Sequence, residues 1–105
     1  MSAKGFLDSV RAAYSKKFAD SFGRLTGDEQ RLASKKCNLW HSSKDHPSLQ
    51  FRTWSGHVPN RYKNLNPKYF RVSSSMRVLV IEDNGNPILE YIGRHSEYEK
   101  FIASS

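Results

Sequence analysis

The chain has 105 residues, with 17 Lys and Arg against 10 Asp and Glu, a formal charge of +7, and 12% aromatic side chains. That length allows one domain with a modest core and excludes a catalytic domain joined to a separate binding domain, so residues 1–105 are read as a single unit. The excess of positive charge favours a polyanionic partner; nucleic acid is the first candidate, and an acidic protein would be equally attracted. No apolar run approaches bilayer length, and Met1 to Gly5 lacks the apolar stretch of a secretory signal, which predicts a cytoplasmic protein with no membrane partner.

From the N-terminus, Phe6, Val10, Ala13, Tyr14, Phe18, Phe22 and Leu25 recur at helical spacing and predict a helix over Phe6 to Leu25. The aromatic and β-branched residues at Ser9 to Tyr14 also suit a break or a short strand there. Thr26 followed by Glu29 is a capping box, which starts a second helix near Gly27. Its apolar side is Leu32, Ala33, Cys37 and Trp40, and the pattern decays by Ser42. The two segments read as a helical hairpin.

Lys44 to Pro67 holds prolines, histidines and little alternation, which predicts irregular structure with one extended piece at Leu49 to Trp54. Cations at Arg52, Arg61, Lys63 and Lys68 interleave with Phe51, Trp54, Tyr62 and Tyr69. That mixture suits unpaired nucleotides, whose phosphates attract cations and whose bases stack, although Phe51 and Trp54 serve equally as anchors for a long loop. Three strands follow at Tyr69 to Ser73, Met76 to Glu82 and Ile88 to Ile92, joined by a serine turn and by Asn84-Gly85, a strong hairpin signal. Alternation sets Arg71 opposite Phe70 and Val72, and puts Arg77 on the face of Leu79 and Ile81. An arginine so placed needs a partner or an open cleft.

The end, Gly93-Arg94-His95-Ser96-Glu97-Tyr98, gathers an imidazole, a guanidinium, a carboxylate and a phenol where the last strand stops. The single cysteine, Cys37, has no disulfide partner and reads as a core residue. The four histidines, His41, His46, His57 and His95, lack metal-ligand spacing, so neither a metal nor a cofactor is implied.

With these residues in view, the chain from about Phe18 to Phe101 resembles the RelE/ParE superfamily of bacterial toxins from toxin–antitoxin modules. The resemblance is carried by Gly27-Asp28-Glu29-Gln30 after the hairpin's Leu25, by His46-Pro47-Ser48-Leu49, by the arginine strands Phe70-Arg71-Val72 and Met76-Arg77-Val78-Leu79-Val80, and by Leu89 to His95. The order and spacing of these segments carry it, since no single motif is specific. It implies an α+β fold: a small twisted antiparallel sheet of three to four strands with an N-terminal helical hairpin packed on one face. The opposite face would be the active one. The family fold begins with a strand, which favours a short strand near Ser9 to Tyr14 over one continuous helix.

The histidine-bearing ending is similar to RelE and YafQ-like mRNA interferases, and implies a metal-independent, ribosome-dependent endoribonuclease that inhibits translation. The RNA supplies its own nucleophile, the 2′-hydroxyl. On this resemblance His95 is the proton carrier, Arg77 and Arg71 hold the phosphate, and Arg94 and Lys68 are secondary phosphate contacts. Glu97 would orient His95, and Tyr98 would donate a proton or stack on a base. His46 or His57 would supply a second imidazole, and Arg61 and Lys63 would add to the RNA grip. Simpler readings stand beside these: His95 as a strand-end histidine that caps the sheet, Tyr98 as a core residue with Phe101 and Ile102, Glu97 as a solvated side chain, and His46 as a turn residue.

The implied partners are mRNA in the A site of the small ribosomal subunit and an acidic antitoxin. This chain departs from strongly active members in the serines that follow Arg71 and in a lysine-rich strand reduced to Lys68 and Arg71. The alternatives are a ParE-like inhibitor of DNA gyrase and a non-catalytic basic RNA-binding protein. His95 is the residue that argues against the gyrase reading.

Overall fold

Two helices and a four-stranded antiparallel meander form the body of the computed structural model, which describes residues 6–54, 60–94, 96–97 and 100–101. Helix α1 spans Lys16–Gly23 and α2 spans Gly27–Ser42. Strands β1 (Arg52–Thr53), β2 (Lys68–Arg71), β3 (Met76–Asp83) and β4 (Asn86–Arg94) lie in sequence order across the sheet. Short 3-10 turns at Pro47–Leu49 and Asn60–Leu65 punctuate the loop region.

The continuous first helix expected from periodicity is not formed. Residues Phe6 and Leu7 are helical, and the chain turns at once, with the Ser9 and Val10 amides donating to the Phe6 and Leu7 carbonyls at 3.1 and 3.0 Å. It then runs extended, and Tyr14 makes a parallel bridge to Leu89, with the Leu89 amide donating to Ala13 and the Ser15 amide to Leu89, both at 2.9 Å. Ser15 ends this stretch by capping α1, its hydroxyl accepting from the Phe18 amide at 3.3 Å. The short strand that the family resemblance favours is thus present as a single bridge. Periodicity misled because Phe6, Val10 and Phe18 all reach one core along two differently directed segments.

The capping box at α2 forms as expected. The Thr26 hydroxyl accepts from the Glu29 amide at 3.2 Å, and the Glu29 carboxylate accepts from the Thr26 amide at 2.9 Å. Buried Gln30 donates to the Phe22 and Leu25 carbonyls, which fixes the hairpin angle by satisfying the open end of α1. Ser21 does the same toward the sheet, accepting from the Ile92 amide at 3.1 Å.

In the β3–β4 hairpin, Asn84 (φ 54) and Gly85 (φ 82) both take positive φ between the paired Asp83 and Asn86, the two-residue turn for which Asn-Gly is suited. The main core lies between the helices and one face of the sheet. Phe18, Phe22, Ala33, Cys37 and Trp40 pack there on Phe70, Val78, Val80, Leu89 and Ile92, with Trp40 stacked on Phe70 at 5.5 Å. A second, smaller cluster of Tyr62, Leu79, Ile81 and Tyr91 covers part of the other face.

Candidate functional site

The face turned away from the helices carries the arginines. Arg71 and Arg77 are register partners on β2 and β3, so alternation brings both side chains to the same place on this face. Their guanidinium groups converge on one carbonyl at the β2–β3 turn: Arg71 Nε donates to Ser73 O at 3.3 Å and Arg77 Nη1 to the same oxygen at 3.0 Å. Arg77 Nη1 also donates to Met76 O at 3.2 Å. Both side chains are half-buried, and neither has a carboxylate partner among the described residues. The Nη groups of Arg71 and the Nε and Nη2 groups of Arg77 remain as donors for an anion.

Beside Arg77 the sheet is flat, because its register partner on β4 is Gly93. A β-carbon there would lie 2.9 Å from the Tyr91 ring, so the aromatic ring occupies the space that a side chain would take. Tyr91 stacks in turn on Phe101, with centroids 4.1 Å apart and planes 10° apart. Between this ring pair and α1 a groove of about 480 Å³ opens, lined by Tyr91 and Phe101, by Lys17, Asp20 and Arg24 from α1 and its C-cap, and by Glu97 and Lys100. The arginine pair on the open face and the flat Tyr91–Phe101 rings beside it are the two kinds of feature, cation and stacking surface, that a single-stranded nucleic acid binds.

Farther along the same face, Leu79 pairs with Tyr91 but Val80 with Leu89, which leaves Glu90 as the extra residue of a β-bulge. The bulge carries the buried Glu90 carboxylate onto this face, where Tyr62 donates its hydroxyl at 2.7 Å. Burial and the adjoining Glu90 carboxylate push the Tyr62 phenol well above its ordinary value, against the opposing charge of Arg61. Arg61 itself lies over the Tyr62 ring at 4.7 Å and over Phe101 at 5.5 Å.

No protein-family model and no curated protein matches the chain. Solved structures do. The crystal structure of a RelB–RelE antitoxin–toxin complex from Methanococcus jannaschii superposes with a TM-score of 0.62 at 10% identity, over 86% of this chain and 98% of that one. A copper-bound mutant toxin from Helicobacter pylori gives 0.54 at 16% identity, over 84% and 97%. The fold is that of a RelE-like toxin.

Within this RelE-like sheet the predicted residues separate into groups. Arg71 and Arg77 come together, and Arg61 lies on the same side. Lys68 does not join them. Two positions before Phe70, it takes the helix-side face, 3.9 Å from Glu82 and 5.5 Å from the Phe51 ring centroid. Arg94 also turns to the helix side, donating to Glu29 at 2.6 Å and to Glu97 at 3.3 Å. It thereby ties the end of β4 to the capping box of α2, and Glu97 is engaged by this arginine.

His46 caps the 3-10 turn at Pro47, its Nδ1 accepting from the Ser48 amide at 3.2 Å. Lys63 is exposed on the Asn60–Leu65 turn. His57, His95 and Tyr98 lie outside the described residues. Phe51 and Trp54 pack against the core clusters, with edge contacts to Trp40 and Tyr69, and so act as anchors.

Sequence reasoning passed over Glu90 and Tyr91. The available signal was a carboxylate inside the otherwise apolar strand Ile88 to Ile92, which needs a buried partner.

Proposed function

We propose that the chain is the toxin of a toxin–antitoxin module, a metal-independent mRNA interferase that cuts RNA in the ribosomal A site. The observation that carries this reading is the Arg71–Arg77 pair: two adjacent cations on an open sheet face, held by a shared carbonyl, with donors left over and no carboxylate among the described residues to neutralise them. Like charges directly across a sheet are unfavourable, so the pair makes physical sense where an anion is to be received.

In the proposed reaction the RNA 2′-hydroxyl attacks the adjacent phosphorus, the bond from phosphorus to the 5′-oxygen breaks, and a 2′,3′-cyclic phosphate and a 5′-hydroxyl end result. Arg71 and Arg77 hold the phosphate and stabilise the negative charge that builds on its oxygens. His95 carries the proton, taking it from the nucleophile or delivering it to the leaving oxygen. In chain order it follows Gly93 and Arg94, the β4 positions paired with Arg77 and Met76. Tyr98 and the loop residue His57 are assigned supporting roles on sequence grounds alone. The groove beside Tyr91 and Phe101, where Lys17, Arg24 and Lys100 outnumber Asp20 and Glu97, would take flanking nucleotides. The +7 surface would be neutralised by an acidic antitoxin.

The test is induction of the protein without its antitoxin. Growth arrest with mRNA ends at codon-registered positions, mapped by primer extension, is expected, and His95→Ala should abolish those ends. Equal cleavage by His95→Ala would remove that residue from the mechanism. Broken DNA with intact mRNA would replace this reading with gyrase inhibition.

A further inference from the structure

Glu90 is buried, yet no Lys, Arg or His pairs with it among the described residues. Burying a carboxylate is costly unless its oxygens are hydrogen-bonded, and the bond that answers this cost is the Tyr62 hydroxyl at 2.7 Å. The two residues are distant in sequence. Tyr62 sits in the 3-10 turn Asn60–Leu65, and Glu90 reaches it because the β-bulge turns an extra residue of β4 onto the open face. The same turn carries Arg61 and Lys63. Arg61 is shelved on the Tyr62 and Phe101 rings, so Tyr62 is one of the groups that place it.

We propose that Glu90 is a positioning residue: through the Tyr62 hydroxyl it latches the Asn60–Leu65 turn to the open sheet face, so that Arg61 and Lys63 extend the anion grip of Arg71 and Arg77 along a bound RNA strand. The latch rests on the RNA-cleavage reading for its substrate but not for its geometry. A bulge with a polar residue could have faced solvent. Here it is buried, and its bond to Tyr62, which packs with Leu79, Ile81 and Tyr91, spans from strand to loop. Arg61 and Lys63 alone, on a loose turn, would contribute little directional binding, because ordering them would cost entropy at each encounter.

Two readouts on the full chain test the inference. Hydrogen exchange at the Asn60–Leu65 amides reads the latch, and the salt dependence of binding to a fluorescein-labelled 2′-O-methyl RNA, which cannot be cut by its own 2′-oxygen, reads the grip. Tyr62→Phe keeps the ring and removes the bond. It should speed exchange in the turn on the order of tenfold, with Cys37-centred core amides unchanged. It should also flatten the plot of log affinity against log salt by up to about 1.4, ~0.7 for each released cation, matching the Arg61→Ala, Lys63→Ala double variant. Adding Tyr62→Phe to that double variant should flatten the plot no further. Glu90→Gln, which keeps an oxygen acceptor, should behave as the parent, whereas Glu90→Leu should behave as Tyr62→Phe.

Unchanged exchange in Tyr62→Phe overturns the latch, whatever the RNA result. Faster exchange with an unaltered salt slope overturns the link to the anion grip. Absence of salt-dependent binding in every form, the parent included, overturns the functional reading, while exchange still decides the latch.

Discussion

On the helix-covered face of the sheet, Arg94 meets Glu29 and Glu97 and Lys68 meets Glu82, whereas on the open face Arg71 and Arg77 stand side by side with only a backbone carbonyl between them. The residue types are the same and the surroundings are opposite. A cation that serves the fold is accompanied by carboxylates, and each exposed pair contributes about 0–1 kcal/mol. Two like charges left adjacent oppose folding slightly, and sites that do so are where function is expected to compensate. The apolar content of the faces follows the same division. The helix side is closed by large rings such as Phe18, Phe70 and Trp40, while the open side has a patch anchored by Tyr62 and Tyr91 that leaves the arginines at its margin.

The sharpest way to break this comparison is to delete one residue from each face. Phe70→Ala, in the fully buried stack with Trp40, should cost about 3–5 kcal/mol of stability in urea denaturation, enough to unfold much of the population of a domain this size. Arg77→Ala should leave stability within about 0.5 kcal/mol and lower cleavage by about 10²–10³-fold in a ribosome-programmed assay, the scale for removing a donor from developing charge. Arg94→Ala should lose at most about 1 kcal/mol of stability and retain cleavage within a few-fold. Were Arg94→Ala as inactive as Arg77→Ala with both equally stable, the division between faces would have no functional meaning.

Much of this division was legible in the sequence. Alternation set Arg71 opposite Phe70 and Val72 and put Arg77 on the face of Leu79 and Ile81, and the strand register, which the sequence does not show, brings the two arginines together on the face away from the main core. The capping box and the Asn-Gly turn were equally readable, because each is a local arrangement specified by a few adjacent residues. What was hidden depends on contacts between distant segments. Val10 and Phe18 show helical spacing, but the intervening Ala13 to Ser15 is captured by β4, a pairing that no window of neighbouring residues reveals. Lys68 was grouped with Arg71 by charge, although their odd separation along β2 puts them on opposite faces. Glu90 escaped notice because a bulge breaks the period-two pattern at that point.

A pH titration extends the contrast to neutral groups. Burial pushes the Cys37 thiol, on the helix side, from 9.0 up to about 12, and the Tyr62 phenol on the open side is raised from 10.0 by burial and by Glu90. A raised folded-state value means that the unfolded chain releases its proton first. Stability from Cys37 is therefore fully present below about pH 9 and is lost between about 9 and 12, by up to ~1.4 kcal/mol per pH unit, with Tyr62 adding a loss of the same sign above about 10. Denaturation midpoints measured from pH 8 upward should fall accordingly. Cys37→Ala should delay the onset of the decline, and Tyr62→Phe should leave the onset in place and reduce the slope above it.

The smallest expected effect bears most directly on the arginine pair. Replacing Arg71 by Gln keeps a donor of similar length and removes one of the two facing charges, so Arg71→Gln should raise stability by a few tenths of a kcal/mol, up to about 0.5, at low salt. The gain should shrink as salt is added, because screening already relieves the repulsion between half-exposed groups. Cleavage should fall in the same variant. A gain in stability joined to a loss of activity is what a site arranged for an absent anion produces. If Arg71→Gln instead loses stability at every salt concentration, then the shared Ser73 carbonyl holds the turn together more than repulsion strains it, and the pair belongs to the fold as Arg94 does.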